Sequence, residues 1–148
     1  MLSTPPSGTN CNLTVLTTET AIKHWPLIGP EIVRAVQCGD LDGEAIKSGV
    51  ADGSIMVVQV TEAERLVMLL TLEIITTMIG GQWLRMMNII TCTGENIDGV
   101  YYHALEFIER IAEGQECDGM MLKGRPGWAK GLKPAGYRVA YQVMTRVF

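Results

Sequence analysis

The chain has 148 residues, of which 47% are hydrophobic and 19% are charged. This length allows one domain with its own core, and this composition excludes disorder over the whole chain. A net charge of −4 argues against nucleic acid or an anionic membrane as a partner. The four cysteines form no Cys-x-x-Cys pair, which argues against a zinc site and for a reducing compartment.

The N-terminus predicts a flexible arm. Residues 1–12 are rich in Ser, Thr and Pro and lack the basic-then-apolar layout of a signal peptide. The folded domain is therefore expected to span residues 13–148 as a single unit. An arm that becomes ordered on contact can cover much of a neighbouring subunit, so 1–12 is a candidate for contacts with partner proteins.

The first half of the domain predicts a strand followed by helices. Apolar residues recur at spacings of three and four from Ile22 to Val36, which indicates one face of a helix. Pro26 and Pro30 lie inside this pattern and each removes an amide donor, so a break is expected near Trp25. The expected elements are a strand at 13–16, a cap at Thr17 or Thr18, a second helix at 27–37 and a short helix at 42–47 closed by Gly49.

The middle of the chain predicts a meander of three strands. The run after residue 66 is rich in Ile, Leu, Val and Thr, and Gly80-Gly81 is a hairpin turn signal. Glu73 and Arg85 interrupt the apolar run, which is too short before the glycines to span a membrane. The expected strands are 55–60, 66–78 and 83–91.

The last third predicts a strand–helix–strand unit and a closing strand. A right-handed crossover from 83–91 makes the next strand parallel to it, whereas the earlier hairpins are antiparallel. The whole is then a mixed sheet with helices on both faces. The expected elements are a helix at 97–113, a strand at 117–122, a turn and short helix at 124–135 and a closing strand at 137–148.

This order resembles the GNAT acyltransferase superfamily over residues 13–148, with the sharpest likeness over 93–148. The resemblance implies an acyl-CoA N-acyltransferase fold of mixed α/β type, which binds acetyl-CoA where two parallel strands separate. The runs Trp-Pro-Leu-Ile-Gly-Pro at 25–30 and Gly-Arg-Pro-Gly-Trp at 124–128 also resemble small GNAT-like proteins of bacteriophage structural-gene clusters.

The resemblance places the cofactor's pyrophosphate on a loop that departs from the superfamily pattern. If Gly94 is the first glycine, Thr91 stands at the Arg or Gln position and Asn96 at the second glycine. Glu95 and Asp98 add carboxylates where an anion would dock, so a helix cap at Asn96 is the alternative reading. The candidate cofactor-binding residues are Gly94, Glu95, Asn96 and Ile97.

The second superfamily motif implies the loss of a catalytic acid. When its closing Gly-Phe is set on Gly136-Tyr137, Leu132 replaces the tyrosine that protonates the departing thiolate. Trp128 replaces a small residue and is expected to fill the cleft. Glu73 is a candidate base if buried, and its alternatives are a solvent-facing position or a pair with Arg85.

These readings support two functions of different class. The first is a catalytically degenerate GNAT-like domain, a pseudoenzyme that acts as a structural or assembly protein of a bacteriophage virion. The second is an active acetyl-CoA-dependent N-acetyltransferase with a diverged site.

A third option is a host protein or nucleic acid bound by the basic C-terminal side chains, and a homo-oligomer stays open. Virion or host cytoplasm is the expected location, without a transmembrane segment. The basic residues are Lys123, Arg125, Lys130, Lys133, Arg138 and Arg146.

Overall fold

The sheet is the centre of the molecule. The computed structural model describes residues 3–4, 11–36, 41–94, 98–123 and 130–148. Six strands lie in the order β1 to β6, with antiparallel pairs from β1 to β5 and a parallel pair between β5 and β6. The predicted mixed sheet is therefore confirmed. The strands are β1 Ser3–Thr4, β2 Cys11–Val15, β3 Ile55–Glu62, β4 Arg65–Ile79, β5 Gln82–Gly94 and β6 Gly119–Leu122.

Helices cover both faces of the sheet, as the sequence predicts. Alternate residues of β3 show the division, because Val57 packs with the first three helices and Val58 packs with the fourth. Both residues are buried. The helices are α1 Thr18–Lys23, α2 Trp25–Ala35, α3 Gly43–Asp52 and α4 Asp98–Gly114.

The break predicted near Trp25 is confirmed. The first helix, α1, ends at Lys23 and α2 begins at Trp25, so that His24 caps both. Pro26 lies in the first turn of α2, where a missing amide donor costs nothing. Thr17 is the cap of α1, and its hydroxyl accepts a hydrogen bond of 3.1 Å from the amide of Thr20.

The predicted end of α3 at Gly49 is wrong. The helix continues to Asp52, and Gly53 ends it with φ +84°, in the left-handed region that suits glycine. Gly49 instead allows close packing, because an added Cβ would lie 2.4 Å from Cδ1 of Ile55. A glycine that permits contact was thus mistaken for a glycine that stops a helix.

The predicted closing strand at 137–148 is wrong as well. These residues have no regular secondary structure, and nearly all of them are exposed. Strand-forming residues become a strand only when a neighbouring strand completes their hydrogen bonds, and here none of the described strands does so. The short helix expected before this segment is present as helical residues 130–132 and the 3-10 helix Lys133–Ala135. Trp128 and the rest of 124–129 lie outside the described residues.

The sheet begins earlier than the predicted domain boundary at residue 13. Cys11 opens β2 and is only 1% exposed, and Ser3–Thr4 pairs with β2 as an additional strand. Part of the predicted arm therefore belongs to the sheet. Over the described ranges, no helix has the length and apolar character needed to cross a bilayer.

Candidate functional site

The two parallel strands of the sheet separate after a short pairing. β5 and β6 pair from Met86 opposite Gly119 to Ile89 opposite Leu122, where β6 ends. β5 continues to Gly94 and pairs there with β4 only. We call the side of β5 at residues 90–94, beyond the end of β6, the β5–β6 notch. Among the described strands none occupies it.

A β-bulge marks the start of the β5–β6 notch. Thr71 pairs with Thr91 and Leu72 with Ile89, which leaves Ile90 as the extra residue of β5. Bulges bend a strand and often re-aim side chains next to functional sites. The register shift lies where β6 ends beside β5.

The candidate cofactor loop is described only at its edges. Gly94 is exposed, ends β5 and lies opposite Met68 of β4, and α4 begins at Asp98. Residues Glu95, Asn96 and Ile97 fall outside the described residues, so the capping role of Asn96 and the effect of the loop carboxylates stay predictions.

Thr91, at the expected Arg or Gln position, is a buried residue. It is 4% exposed, and its hydroxyl lies 2.6 Å from the hydroxyl of Thr71, which is fully buried. The hydrogen bond between the two hydroxyls pairs both groups inside the protein. Thr91 therefore stabilises the neighbouring strands and has no charged group to offer an anion.

Leu132, at the expected tyrosine position, lies in the apolar core. It is 4% exposed and belongs to the same cluster as Ala104 and Ile108 of α4. Hydrogen bonds on either side hold its backbone. The hydroxyl of Tyr102 donates to the carbonyl of Gly131 at 2.5 Å, and the amide of Tyr137 donates to the carbonyl of Leu132 at 3.3 Å. Leu132 thus serves packing and has no proton to donate.

Three ionisable groups in or near α4 have pKa values raised above their ordinary values. Burial raises the pKa of the Cys92 thiol to about 12, which excludes a thiolate nucleophile near neutral pH. Burial also raises the pKa of Tyr101 above its ordinary value, with smaller effects from Cys92 and Tyr102. Burial and a 2.9 Å hydrogen bond to the Glu109 carboxylate raise the pKa of Tyr137.

Glu73 is half-buried and pairs with Asn88 across β4 and β5. The amide nitrogen Nδ2 of Asn88 donates to Oε1 of Glu73 at 3.1 Å. The alternative partner, Arg85, is engaged elsewhere: its Nε donates to the carbonyl of Gln115 and its backbone amide to Asp118. Of the alternatives for Glu73, the pair with Arg85 is therefore not formed.

Asn88 is a polar residue that the sequence reading missed. Its Oδ1 is buried and accepts no hydrogen bond among the described residues, although most buried polar atoms have a partner. It lies next to Ile89, the last residue of β5 that pairs with β6. Because Met87 and Ile89 face the α4 cluster, strand alternation places Asn88 on the opposite face, toward α1–α3. The sequence signal for Asn88 was a single amide side chain within an otherwise apolar stretch of strand.

A cavity of about 420 Å³ lies away from the β5–β6 notch. It is lined by residues 15–17 at the end of β2, by Met56 of β3 and by the C-terminal end of α4 with Gln115 just beyond it. The notch lies beside Gly94, which precedes the N-terminal end of α4. Within the described part of the chain, no group of three His, Cys, Asp or Glu side chains could hold a metal ion.

Comparison with solved structures identifies the fold. The chain is similar to a GCN5-related N-acetyltransferase from Ralstonia eutropha (TM-score 0.71, 10% identity, 93% of this chain and 98% of that one). It is also similar to a predicted acetyltransferase with acetyl-CoA from Clostridium acetobutylicum (0.69, 11%, 93% and 96%) and to the aminoglycoside N-acetyltransferase AAC(6')-Iy in complex with CoA (0.68, 13%, 97% and 97%).

Sequence comparison adds no closer relationship. No family model matches the chain, and no curated protein matches it. Identities of 10 to 13% to the solved structures carry the fold and no more. The element order, the parallel pair that separates beside a bulge and these similarities together establish that the chain has the GNAT acyl-CoA N-acyltransferase fold.

Proposed function

We propose that this chain is a GNAT-fold domain that does not transfer acetyl groups and acts instead as an assembly component of a bacteriophage particle. The observation that carries the proposal is Leu132, a buried leucine at the position where the resemblance implies a proton-donating tyrosine. An acyl transfer releases a thiolate, and a general acid that protonates the leaving group typically contributes about 10²–10⁴-fold in rate. Leucine contributes none of this.

The β5–β6 notch lies where the superfamily binds acetyl-CoA, between two parallel strands that separate. The side chains at the two motif positions do not fit acetyl transfer, because Thr91 is buried in a hydroxyl pair and Leu132 is apolar. We therefore derive no catalytic step through the cofactor.

An assembly role is supported by the apolar surface at the end of the chain. Val143, Met144, Val147 and Phe148 are between 74% and 102% exposed, which is unusual for residues of this type in a chain that works alone. Such side chains are expected to meet another protein. The bacteriophage part of the proposal rests on the resemblance of the runs at 25–30 and 124–128.

Two measurements test the proposal together. Mass spectrometry of purified particles from the source phage is expected to find the chain in the virion, and its absence from the particle and from every assembly intermediate would remove the virion role. Thermal unfolding with millimolar acetyl-CoA is expected to show no shift, because only a ligand that binds the folded state raises its stability.

A second function is favoured by the pair of Glu73 and Asn88. In a working N-acetyltransferase, Glu73 could take a proton from an acceptor amine while Oδ1 of Asn88, which accepts no described hydrogen bond, receives one from that amine. This reading needs an acceptor bound on the α1–α3 face.

An acetylation assay with a panel of amines separates the two functions. If the chain is an enzyme, Glu73→Gln should lower kcat/KM at least 10²-fold, because a general base contributes about that much. The control is Glu62→Gln, a change at an exposed carboxylate near the end of β3. Absence of turnover with every amine, together with absence of a thermal shift, would remove the support for the enzyme.

A further inference from the structure

The C-terminal end of α4 leaves part of the sheet half-exposed. Val15 of β2, Met56 of β3 and Ile74 of β4 lie on the face of the sheet that packs with the α4 cluster. All three are nevertheless only half-buried. Because α4 ends at Gly114, these side chains form an apolar floor beside the end of the helix.

Two adjoining cavities lie over this floor. The first is the cavity of about 420 Å³ at the end of β2, and the second has a volume of about 350 Å³ and is lined by Gly53, Ser54 and Ile74. Met56 and Gln115 line both cavities, so the two adjoin at the C-terminal end of α4. We call them together the α4-end cleft. Volumes of this size suit a small organic molecule.

The α4-end cleft presents one charge to such a molecule. Arg110 is the single charged side chain among the described residues that line the two cavities. Glu106 and Glu113 are its neighbours along the helix, but neither forms an ion pair with Arg110 within the described part of the chain. The guanidinium therefore stands at the rim of an apolar cleft without a carboxylate partner there.

The hydroxyl groups that line the α4-end cleft are already bonded within the protein. The hydroxyl of Thr17 donates to the hydroxyl of Thr20 at 2.8 Å. The hydroxyl of Ser54 donates to the carbonyl of Gly49 at 3.3 Å. The guanidinium is consequently the group that decides which polar head a ligand must carry. A guanidinium matches a carboxylate with two parallel hydrogen bonds.

We propose that the α4-end cleft binds a small apolar monocarboxylate. Its carboxylate lies on the guanidinium of Arg110, and its hydrocarbon part covers Val15, Met56 and Ile74, since removal of apolar surface from water favours binding. The proposal does not depend on acetyl-CoA. The β5–β6 notch precedes the N-terminal end of α4, and the 17 residues of this helix separate the two places by about 25 Å.

The test uses octanoate as the probe and two pairs of variants. Arg110→Gln removes the charge, and the control Arg65→Gln makes the same change of charge at an exposed residue of the β3–β4 turn. Gly114→Phe adds bulk to the lining of the cleft, and no atom lies within 4 Å of a Cβ added there. Its control is Gly114→Ala. Calorimetry gives the dissociation constant, and amide chemical shifts locate the probe and verify that each variant is folded.

Octanoate should bind with a dissociation constant on the order of 1 mM or below, with shifts at residues 15–17, 54–56 and 110–115. Arg110→Gln and Gly114→Phe should each weaken binding at least about tenfold, corresponding to about 1.4 kcal/mol, while both controls change it less than about twofold. Octan-1-ol, which has the same tail without the charge, should bind at least about tenfold more weakly than octanoate.

Three results would overturn the proposal. The first is the absence of octanoate binding at millimolar concentration. The second is binding that Arg110→Gln leaves unchanged or that octan-1-ol matches. The third is a set of shifts confined to residues 90–94, which would place the probe in the β5–β6 notch.

Discussion

Leu132 is the residue on which the proposed loss of acetyl transfer depends. The backbone around it is held by hydrogen bonds to α4 and to Tyr137, so its place in the fold is well defined. Its side chain is apolar and lies in an apolar cluster, where a hydroxyl without a hydrogen-bond partner would be costly to bury.

We expect Leu132→Tyr to lower the free energy of unfolding by about 1–3 kcal/mol, because a larger polar side chain overpacks a filled site. The control Leu132→Met conserves volume and should cost less than about 1.5 kcal/mol. Urea denaturation measures both. If Leu132→Tyr is as stable as the parent chain and acquires acetyltransferase activity, the site is open and the assembly proposal loses its main support.

The thiol of Cys92 and the phenols of Tyr101 and Tyr137, which are partly or fully buried, predict an alkaline limit to stability. The pKa of Cys92 rises from about 9 to about 12 on folding, and the pKa values of Tyr101 and Tyr137 rise too. Above pH 9 the unfolded chain therefore binds fewer protons than the folded one, so stability falls as pH rises. Each group contributes a slope of up to about 1.4 kcal/mol per pH unit.

Urea denaturation at a series of pH values checks this sign. Cys92→Ala should make the decline between about pH 9 and 12 shallower while leaving the pH dependence near neutrality unchanged. An increase in stability with pH over that range, or an identical slope in Cys92→Ala, would contradict the assigned burial of the thiol.

At the scale of elements, the two central hairpins were predicted well. Gly80 and Gly81 have φ values of +59° and +80°, the left-handed conformations that a tight two-residue turn requires. The strands on either side are longer than expected, because pairing with a neighbour extends β4 and β5 beyond their apolar runs.

A substitution at Gly80 tests the backbone conformation of this turn without a contribution from side-chain packing. No atom lies within 4 Å of a Cβ added at Gly80, so a substitution there acts through the backbone alone. Gly80→Val should cost about 1–2 kcal/mol, and Gly80→Asn, which tolerates positive φ, should cost much less. Equal free energies of unfolding for the two variants would show that the turn is not left-handed at this position.

At the scale of the whole molecule, the sheet separates two apolar clusters. Ile46 of α3 is fully buried on one face, and Ile108 of α4 is fully buried on the other. Substitutions on opposite faces share no neighbours, so their effects on stability should be independent.

We expect Ile46→Val and Ile108→Val each to cost about 0.5–1.5 kcal/mol and to add within about 0.5 kcal/mol when combined. The comparison pair is Ile32→Val with Ile46→Val, two residues of the same cluster, for which coupling is expected. Urea denaturation of the single and double variants gives both values. Strong coupling across the sheet would show that the two clusters behave as one core.

The element order could be read from the chain because it depends on local signals. Apolar period, proline, glycine turns and caps act over a few residues, and they predicted the helix break at Trp25 and the hairpin at Gly80. That Leu132 lacks a hydroxyl is a property of the sequence, whereas the loss of a catalytic acid at this position stays a prediction.

Tertiary structure decided everything that required a partner distant in sequence. Gly49 could be understood only beside Ile55, Glu73 only beside Asn88, and Thr91 only beside Thr71. Residues 137–148 have the composition of a strand and no neighbouring strand in the described part of the chain. A strand is completed by hydrogen bonds to another segment, and no local pattern specifies which segment that is.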